Sequence, residues 1–335
     1  AKKCLLTSAD YPHTLSCHVR DPKVFKENGK YYMVLGGRTR NDVGCVLLYE
    51  AEDKEHFRFK QYITSEKPFG YMWECPDLFR IDGNLFLSIS PQGIAAEEYQ
   101  YQNVYQSGYY RILGDLEDYT LSPFIEWDMG FDFYAPQSFI DESGRRILIG
   151  WMGIGDIEYE NPTVAEGWQH TLTVPRELTL DASGDICQNP VKELTALRKE
   201  EIIVPSDFFL TEGAFEMLAD ISGNEDFSIM IDKGMQILYD AGTSVLSLSF
   251  LPDRECNPED AKGCGRCIRK AKIRENKVSS LQILVDHSTV EIFVNNGHYV
   301  FSSRYYKTGH AHTVEFSGDM NITAYTLSGL HFNNS

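Results

Sequence analysis

A proline-led unit recurs through the first half of the chain. Asp21-Pro22-Lys23-Val24-Phe25 is followed by Asn28-Gly29-Lys30 and the apolar run Tyr31-Tyr32-Met33-Val34-Leu35. Cys75-Pro76-Asp77-Leu78-Phe79 is followed by Asp82-Gly83-Asn84 and Leu85-Phe86-Leu87-Ser88-Ile89. Ala135-Pro136-Gln137-Ser138-Phe139 is followed by Ser143-Gly144-Arg145 and Ile147-Leu148-Ile149-Gly150-Trp151. Val174-Pro175-Arg176-Glu177-Leu178, with Ser183-Gly184 after it, is a weaker fourth copy. Each unit reads as a strand, a glycine turn and a returning strand, which is a β-hairpin. Proline cannot donate to a ladder, so the prolines are expected to open their strands. They stand at 22, 76, 136 and 175, spaced by 54, 60 and 39 residues. Repeats of that length with several strands each predict propeller blades, whose innermost strands line a common funnel.

The repeat gives meaning to the acids near it. Asp21 stands immediately before one proline, Glu74 one residue further ahead of the next, and Asp132 close by the third, three residues before Ala135-Pro136-Gln137. Carboxylates gathered into one funnel are what glycoside hydrolysis needs. Glu74 lies between Trp73 and Cys75, which offer little polar solvation, so it is expected to hold its proton firmly and to serve as a general acid. The alternative at this position is a strand-edge glutamate that faces water.

Three ordered segments carry a resemblance. Arg20-Asp21-Pro22, Trp73-Glu74-Cys75-Pro76-Asp77 and Asp132-Phe133-Tyr134-Ala135-Pro136-Gln137 resemble motifs of glycoside hydrolase family 32, which contains invertases, inulinases and levanases. Gly150-Trp151, Trp168, Val174-Pro175-Arg176-Glu177-Leu178, the stretch Val285 to Phe293 and Ser303-Arg304-Tyr305 extend the match along the chain. The resemblance implies an all-β protein, a five-bladed propeller followed by a β-sandwich. It implies a retaining β-fructofuranosidase with Glu74 as general acid/base and Asp21 as transition-state stabiliser. Arg20, Trp73, Cys75, Asp132, Tyr134 and Trp168 are the implied substrate-binding residues. Tyr134 is open to two readings, a hydrogen bond to a catalytic carboxylate or a buried phenol satisfied by backbone.

One departure stands out. The family opens with an Asn-Asp-Pro-Asn-Gly segment whose Asp is the nucleophile, and no such segment is present here. With 19 residues ahead of Arg20, the propeller is expected to be incomplete at its N-terminus, and the chain alone to be weak or inactive. A non-catalytic fructose- or fructan-binding fragment, a two-chain enzyme completed by an N-terminal polypeptide, and a homo-oligomer are the alternatives.

Length and charge bound the rest. The 335 residues suffice for two domains. They are read as a propeller over 1–190, a linker helix over 191–199 and a sandwich over 200–335, where alternating strands replace the proline-led unit. The stretch 99–105 alternates in period two and is read as a strand. The 49 acidic against 31 basic residues give −18, which argues against nucleic acid and anionic membranes and suits a small neutral sugar, sucrose or a fructo-oligosaccharide. A phosphorylated sugar would need a local basic pocket, for which Arg38 and Arg40 are the candidates. Eight cysteines without a framework read as free thiols in a cytoplasmic protein. Cys256, Cys264 and Cys267 fall short of four zinc ligands, so a loop thiol group or loop disulfide is expected there, with no metal and no cofactor.

Overall fold

The computed structural model describes residues 2–157, 160–250, 267–307 and 309–329. It is almost entirely β. By backbone contacts the chain forms two compact units, residues 1–95, 104–127 and 134–138 in one, and 96–103, 128–133 and 139–335 in the other.

The first unit holds two blade sheets. One runs in the order β1 (Leu15–Glu27), β2 (Lys30–Thr39), β3 (Gly44–Ala51), β4 (Arg58–Ile63). The other runs β5 (Met72–Ile81), β6 (Asn84–Gln92), β7 (Gly108–Gly114), β8 (Tyr119–Leu121), with β9 (Ile125–Glu126) on β7. The hairpin turns follow from the sequence. Asn28 and Gly29 have φ of 49° and 85°, Asp82 and Gly83 48° and 80°, the left-handed pair a tight primed turn needs. Leu47, Leu48, Trp73, Phe86 and Leu87 are fully buried and form the apolar interior of these sheets.

Pro22 and Pro76 do not open their strands. Each lies inside a long leading strand, at a register shift between Arg20 and Lys23 in β1 and between Glu74 and Asp77 in β5. The residue before each repeat proline is left-handed, with φ of 61° at Asp21, 48° at Cys75 and 51° at Ala135. A bulge therefore absorbs the missing amide, which is the other place a sheet tolerates proline.

A third sheet has the order β10 (Tyr134–Ile140), β11 (Arg146–Met152), β13 (Arg176–Leu180), β14 (Ile186–Pro190), with β12 (Thr171–Leu172) on β11. The weak fourth copy is thus no separate blade. Its hairpin supplies the two outer strands of this sheet, because Arg146, Ile147 and Leu148 pair with Leu178, Glu177 and Arg176. A 3-10 helix spans Lys192–Leu197.

The second unit also carries the sandwich. One sheet has the order β15 (Arg198–Ile202), β26 (Met320–Leu327), β17 (Phe215–Ile221), β22 (Ser280–Val285), β23 (Thr289–Val294), β24 (Tyr299–Arg304). The other has β16 (Phe208–Glu212), β25 (Ala311–Ser317), β18 (Phe227–Ile231), β19 (Met235–Asp240), β20 (Val245–Phe250), β21 (Ile268–Lys272). Phe215, Met217, Ile283 and Ile292 from the first sheet share one core with Ile229, Ile231, Ile237 and Leu248 from the second. Residues 99–105 are not a strand. Gln102 instead bonds the Lys270 backbone at 2.7 and 3.0 Å, and Asn103 accepts from the Arg269 guanidinium, contacts that override the alternating pattern. Cys4, Cys17, Cys45, Cys75 and Cys187 are free thiols, whereas Cys267 is disulfide-bonded, which is the loop-disulfide alternative of the two expected there. Cys256 and Cys264 lie outside the described residues. Among the described residues no helix is long and apolar enough to cross a membrane.

One buried ionic cluster anchors the second unit. The Nη2 of Arg176 bonds Asp128 at 3.0 Å, Glu291 at 2.9 Å and Ser302 at 2.6 Å, and its Nη1 bonds Gln188 at 3.0 Å. Burial pushes both carboxyls above their ordinary range, and the shared guanidinium offsets only part of that push. Two acids per cation make the guanidinium the critical member. Arg176→Ala should lower the unfolding free energy by about 3–5 kcal/mol in chemical denaturation, because it strands both acids in the interior. Glu291→Gln keeps the shape and removes one charge, and should cost less; the reverse order of the two variants would count against this account.

Candidate active site

The left-handed residues organise the site. Counted from each repeat proline, Arg20, Glu74 and Tyr134 occupy the same position, two residues ahead. The structure brings all three together. Arg20 donates Nε and Nη2 to Glu74 Oε1, at 2.8 and 2.6 Å. The Tyr134 hydroxyl donates to Glu74 Oε2 at 2.6 Å, and Gln92 Nε2 donates to the same oxygen at 2.7 Å. Glu74 keeps 14% of its side chain exposed and Arg20 36%, so the group is reachable from solvent. Of the two readings left open for Tyr134, the carboxylate bond is the one the side chain makes at short range; its contact to Ser90 O is 3.4 Å.

One residue on, Asp21, Cys75 and Ala135 match in the same way. Asp21 Oδ2 accepts from the Cys75 amide at 3.0 Å and from its thiol at 3.6 Å. Asp21 and Glu74, 53 residues apart in sequence, are thus separated by one peptide link across the blade boundary. One residue past the proline, Lys23, Asp77 and Gln137 form a deeper ring. Lys23 Nζ reaches Asp77 Oδ2 at 3.2 Å and Gln137 Oε1 at 3.1 Å. Asp77 also accepts from the Ser138 amide and hydroxyl at 2.8 and 2.6 Å. Asp77 is 1% exposed, so its carboxyl ties strands and offers nothing to a ligand.

The surroundings of Glu74 differ from the sequence expectation. Successive side chains of a strand point to opposite faces. Trp73 therefore turns away from Glu74; it is fully buried, donates Nε1 to Phe69 O at 2.6 Å and packs on Tyr110. A side chain with no exposed surface presents none to a sugar. In place of an indole, Glu74 has a guanidinium, an amide and a phenol, which treat both its oxygens as acceptors. Burial, then the Glu74 charge, push the Tyr134 phenol well above its ordinary range. Burial, followed by the charges of Asp21 and Glu74, pushes the Cys75 thiol up as well. Both remain protonated donors at neutral pH.

Asp132 and Trp168 belong to the other unit. Asp132 is fully buried, and its carboxylate accepts the Arg304 amide at 2.7 Å. Trp168 is 42% exposed and lies under the Arg304 guanidinium at 5.2 Å. The sequence reading missed Gln92. Its place opposite Met72 on β6 follows from strand register, which no motif signals. Gly36 was also missed. It pairs with Arg20, and a Cβ there would stand 2.2 Å from the Trp73 carbonyl oxygen. Among the described residues no cluster of three or more metal-binding side chains is found.

Known proteins share both the sheets and the motifs. Residues 2–190 match the model of the glycosyl hydrolases family 32 N-terminal domain, and 184–330 match that of the family 32 C-terminal region. The sucrose-6-phosphate hydrolases of Staphylococcus xylosus and Bacillus subtilis are each 36% identical to 95% of this chain. The aligned region spans 67% and 69% of those relatives, about two thirds of their length. Among solved structures, the Bombyx mori GH32 beta-fructofuranosidase superposes with a TM-score of 0.81 at 28% identity, over 95% of this chain and 67% of its own. The Lactobacillus gasseri sucrose-6-phosphate hydrolase gives 0.81 at 26%, over 95% and 68%. Fold and site together define a glycoside hydrolase of propeller-and-sandwich architecture, of the β-fructofuranosidase type. The chain belongs to glycosyl hydrolase family 32.

Two measurements probe this geometry. Titration of the tyrosine ring carbons by NMR should show Tyr134 still neutral at pH values where an ordinary tyrosine, with a pKa of about 10, is half ionised. Because the folded pKa is raised, the stability Tyr134 contributes is fully present below pH about 10 and is lost as pH climbs towards the folded value. Glu74→Gln removes the neighbouring charge and should bring the phenol part of the way back; no movement would show that the two groups do not interact. Gly36→Ala should destabilise the first unit by about 1–3 kcal/mol, since its methyl meets backbone that cannot swing aside.

Proposed function

We propose that the chain carries the acid–base side of a site that cleaves terminal β-D-fructofuranosides such as sucrose. The carrying observation is the convergence of Arg20, Glu74 and Tyr134 from one position of three leading strands, with Asp21 beside them. The names of the family relatives support the substrate class. Glu74 gives its proton to the leaving oxygen as the fructosyl carbon–oxygen bond breaks, then takes a proton from the water that releases fructose. Asp21 accepts hydrogen bonds from fructose hydroxyls, Arg20 and Tyr134 fix the Glu74 carboxyl, and Cys75 donates to Asp21.

Retention requires a second, nucleophilic carboxylate. The sequence holds no Asn-Asp-Pro-Asn-Gly segment, and Asp77 is committed to the buried ring. The residues assigned here therefore carry the acid–base and sugar-binding roles, and not the nucleophile's. As to compartment, the five free cysteines support a cytoplasmic protein, and the disulfide at Cys267 weighs against it.

The test pairs titration calorimetry with fructose and sucrose against an assay of sucrose hydrolysis. Wild-type polypeptide should bind, Asp21→Asn should weaken binding at least about tenfold through loss of charge-assisted hydrogen bonds, and any turnover should be lost in Glu74→Gln. A rate that survives Glu74→Gln refutes the acid–base role of Glu74, and absence of any binding refutes the site.

A further inference from the structure

Arg20 makes one contact that the fructoside reading leaves unused. Its Nε and Nη2 are spent on Glu74, and its Nη1 lies 3.2 Å from His18 Nδ1. A guanidinium can only donate, so His18 Nδ1 is the acceptor. That needs a lone pair on Nδ1, which the neutral ring provides when its proton sits on Nε2, and which the charged ring lacks. His18 stands two residues from Arg20 on β1, so both side chains leave the same face of the strand. Its backbone is fixed from beside. The His18 amide donates to Ser16 Oγ at 3.2 Å, and that hydroxyl donates to the Arg38 carbonyl oxygen on β2 at 2.8 Å.

The repeat does not account for this histidine. Counted from the proline, its counterparts are Met72 and Asp132, both buried, whereas His18 is exposed. The charged groups at this end of β1 are Arg20 and Asp21 on the strand itself, Glu74 on β5, Arg38 with its partner Asp42, and Arg40, whose Nε donates to the Leu15 carbonyl oxygen. Among the described residues, Arg20 is the one bonded to the His18 ring. Tyr134 and Cys75, which flank Glu74 and Asp21, are held protonated chiefly by burial. They therefore keep their protons in the range where imidazoles change charge.

We propose that His18 is a positioning residue: its neutral ring holds Arg20 on Glu74, and protonation of the ring in mild acid releases that hold. A proton taken from solvent at Nδ1 occupies the lone pair that Nη1 uses, and it sets one cation against another. The inference rests on the fructoside reading above and adds a control to that site. Arg20 fixes the carboxyl that meets the leaving oxygen, so a guanidinium that has lost its third anchor presents that carboxyl misaligned to sucrose.

The experiment follows the Arg20 Nε–H signal by NMR and the Kd of sucrose by calorimetry, from about pH 8 to about pH 5, the window in which imidazoles change charge. It compares wild type with His18→Asn, His18→Leu and His56→Gln, the last a histidine bonded to Asp53 in an exposed turn. Circular dichroism and thermal melting confirm that each variant is folded. Asn keeps a neutral oxygen acceptor in place of Nδ1, and Leu keeps none. In wild type the Arg20 signal should move in step with the His18 ring signals, and the Kd should rise about tenfold on acidification, as loss of one hydrogen bond to a charged group gives. His18→Asn should hold its affinity across the window, His18→Leu should bind about tenfold more weakly throughout, and His56→Gln should behave as wild type. An Arg20 signal that ignores the His18 titration, or the wild-type pH response persisting in His18→Asn, overturns the inference and leaves the fructoside site standing. Sucrose bound by none of the proteins overturns the fructoside reading, while the Arg20 signal still decides whether His18 holds Arg20.

Discussion

The structure turns on a backbone conformation that L-residues avoid. Asp21, Cys75 and Ala135 are all left-handed, and each precedes a proline that itself disfavours compact backbone before it. Such residues cost about 1–3 kcal/mol each and persist where the surroundings over-determine them. Here the surroundings are explicit. The Cys75 amide donates to Asp21, and its carbonyl oxygen accepts from Gln137 at 3.0 Å, so both ends of the strained peptide are tied to neighbouring strands. The bulge breaks the strict alternation of each leading strand. It lets the residue two ahead of the proline turn to its counterparts while the residue after the proline still joins the ladder.

That device explains what was legible in the sequence. The repeat was visible because proline and the Asn-Gly and Asp-Gly turns are strong local signals, and the turns have the left-handed φ those pairs favour. The acids at 21 and 74 were found through the repeat and the motifs. The bulge itself was not visible. Proline within a run reads as a strand start, and the other permitted reading needs a partner strand to reveal the register shift. The neighbourhood of Glu74 was misjudged for a related reason. Sequence neighbours Trp73 and Cys75 are not both spatial neighbours of the carboxyl, whereas Arg20, Gln92 and Tyr134, far away in the chain, are.

The second unit shows the same limit. Arg176 and Glu291 were read in motifs 115 residues apart, and only the fold shows that they meet, with Asp128, in one buried cluster. Their recurrence in a family pattern would suggest chemistry. Burial and the bonds that Nη1 and Nη2 of Arg176 make assign them to holding β13, β23 and β24 together. Residues 99–105 mark the converse case, where a clean alternating pattern is overruled by two side-chain contacts to β21.

Two rings three residues apart in the strand therefore do different work. The ring of Lys23, Asp77 and Gln137 is closed, since Asp77 is 1% exposed and takes three donors. The ring of Arg20, Glu74 and Tyr134 is built by the same repetition but keeps its carboxyl and guanidinium partly open to solvent. A polar ring of this kind ties the leading strands to one another three residues from the outer ring. A carboxyl placed on such strands, with each oxygen held by donors from neighbouring strands, loses the freedom that would otherwise misalign it. The inner ring holds its carboxyl buried and the outer one keeps its carboxyl open to solvent, and the bulge between them is what allows one strand to contribute to both.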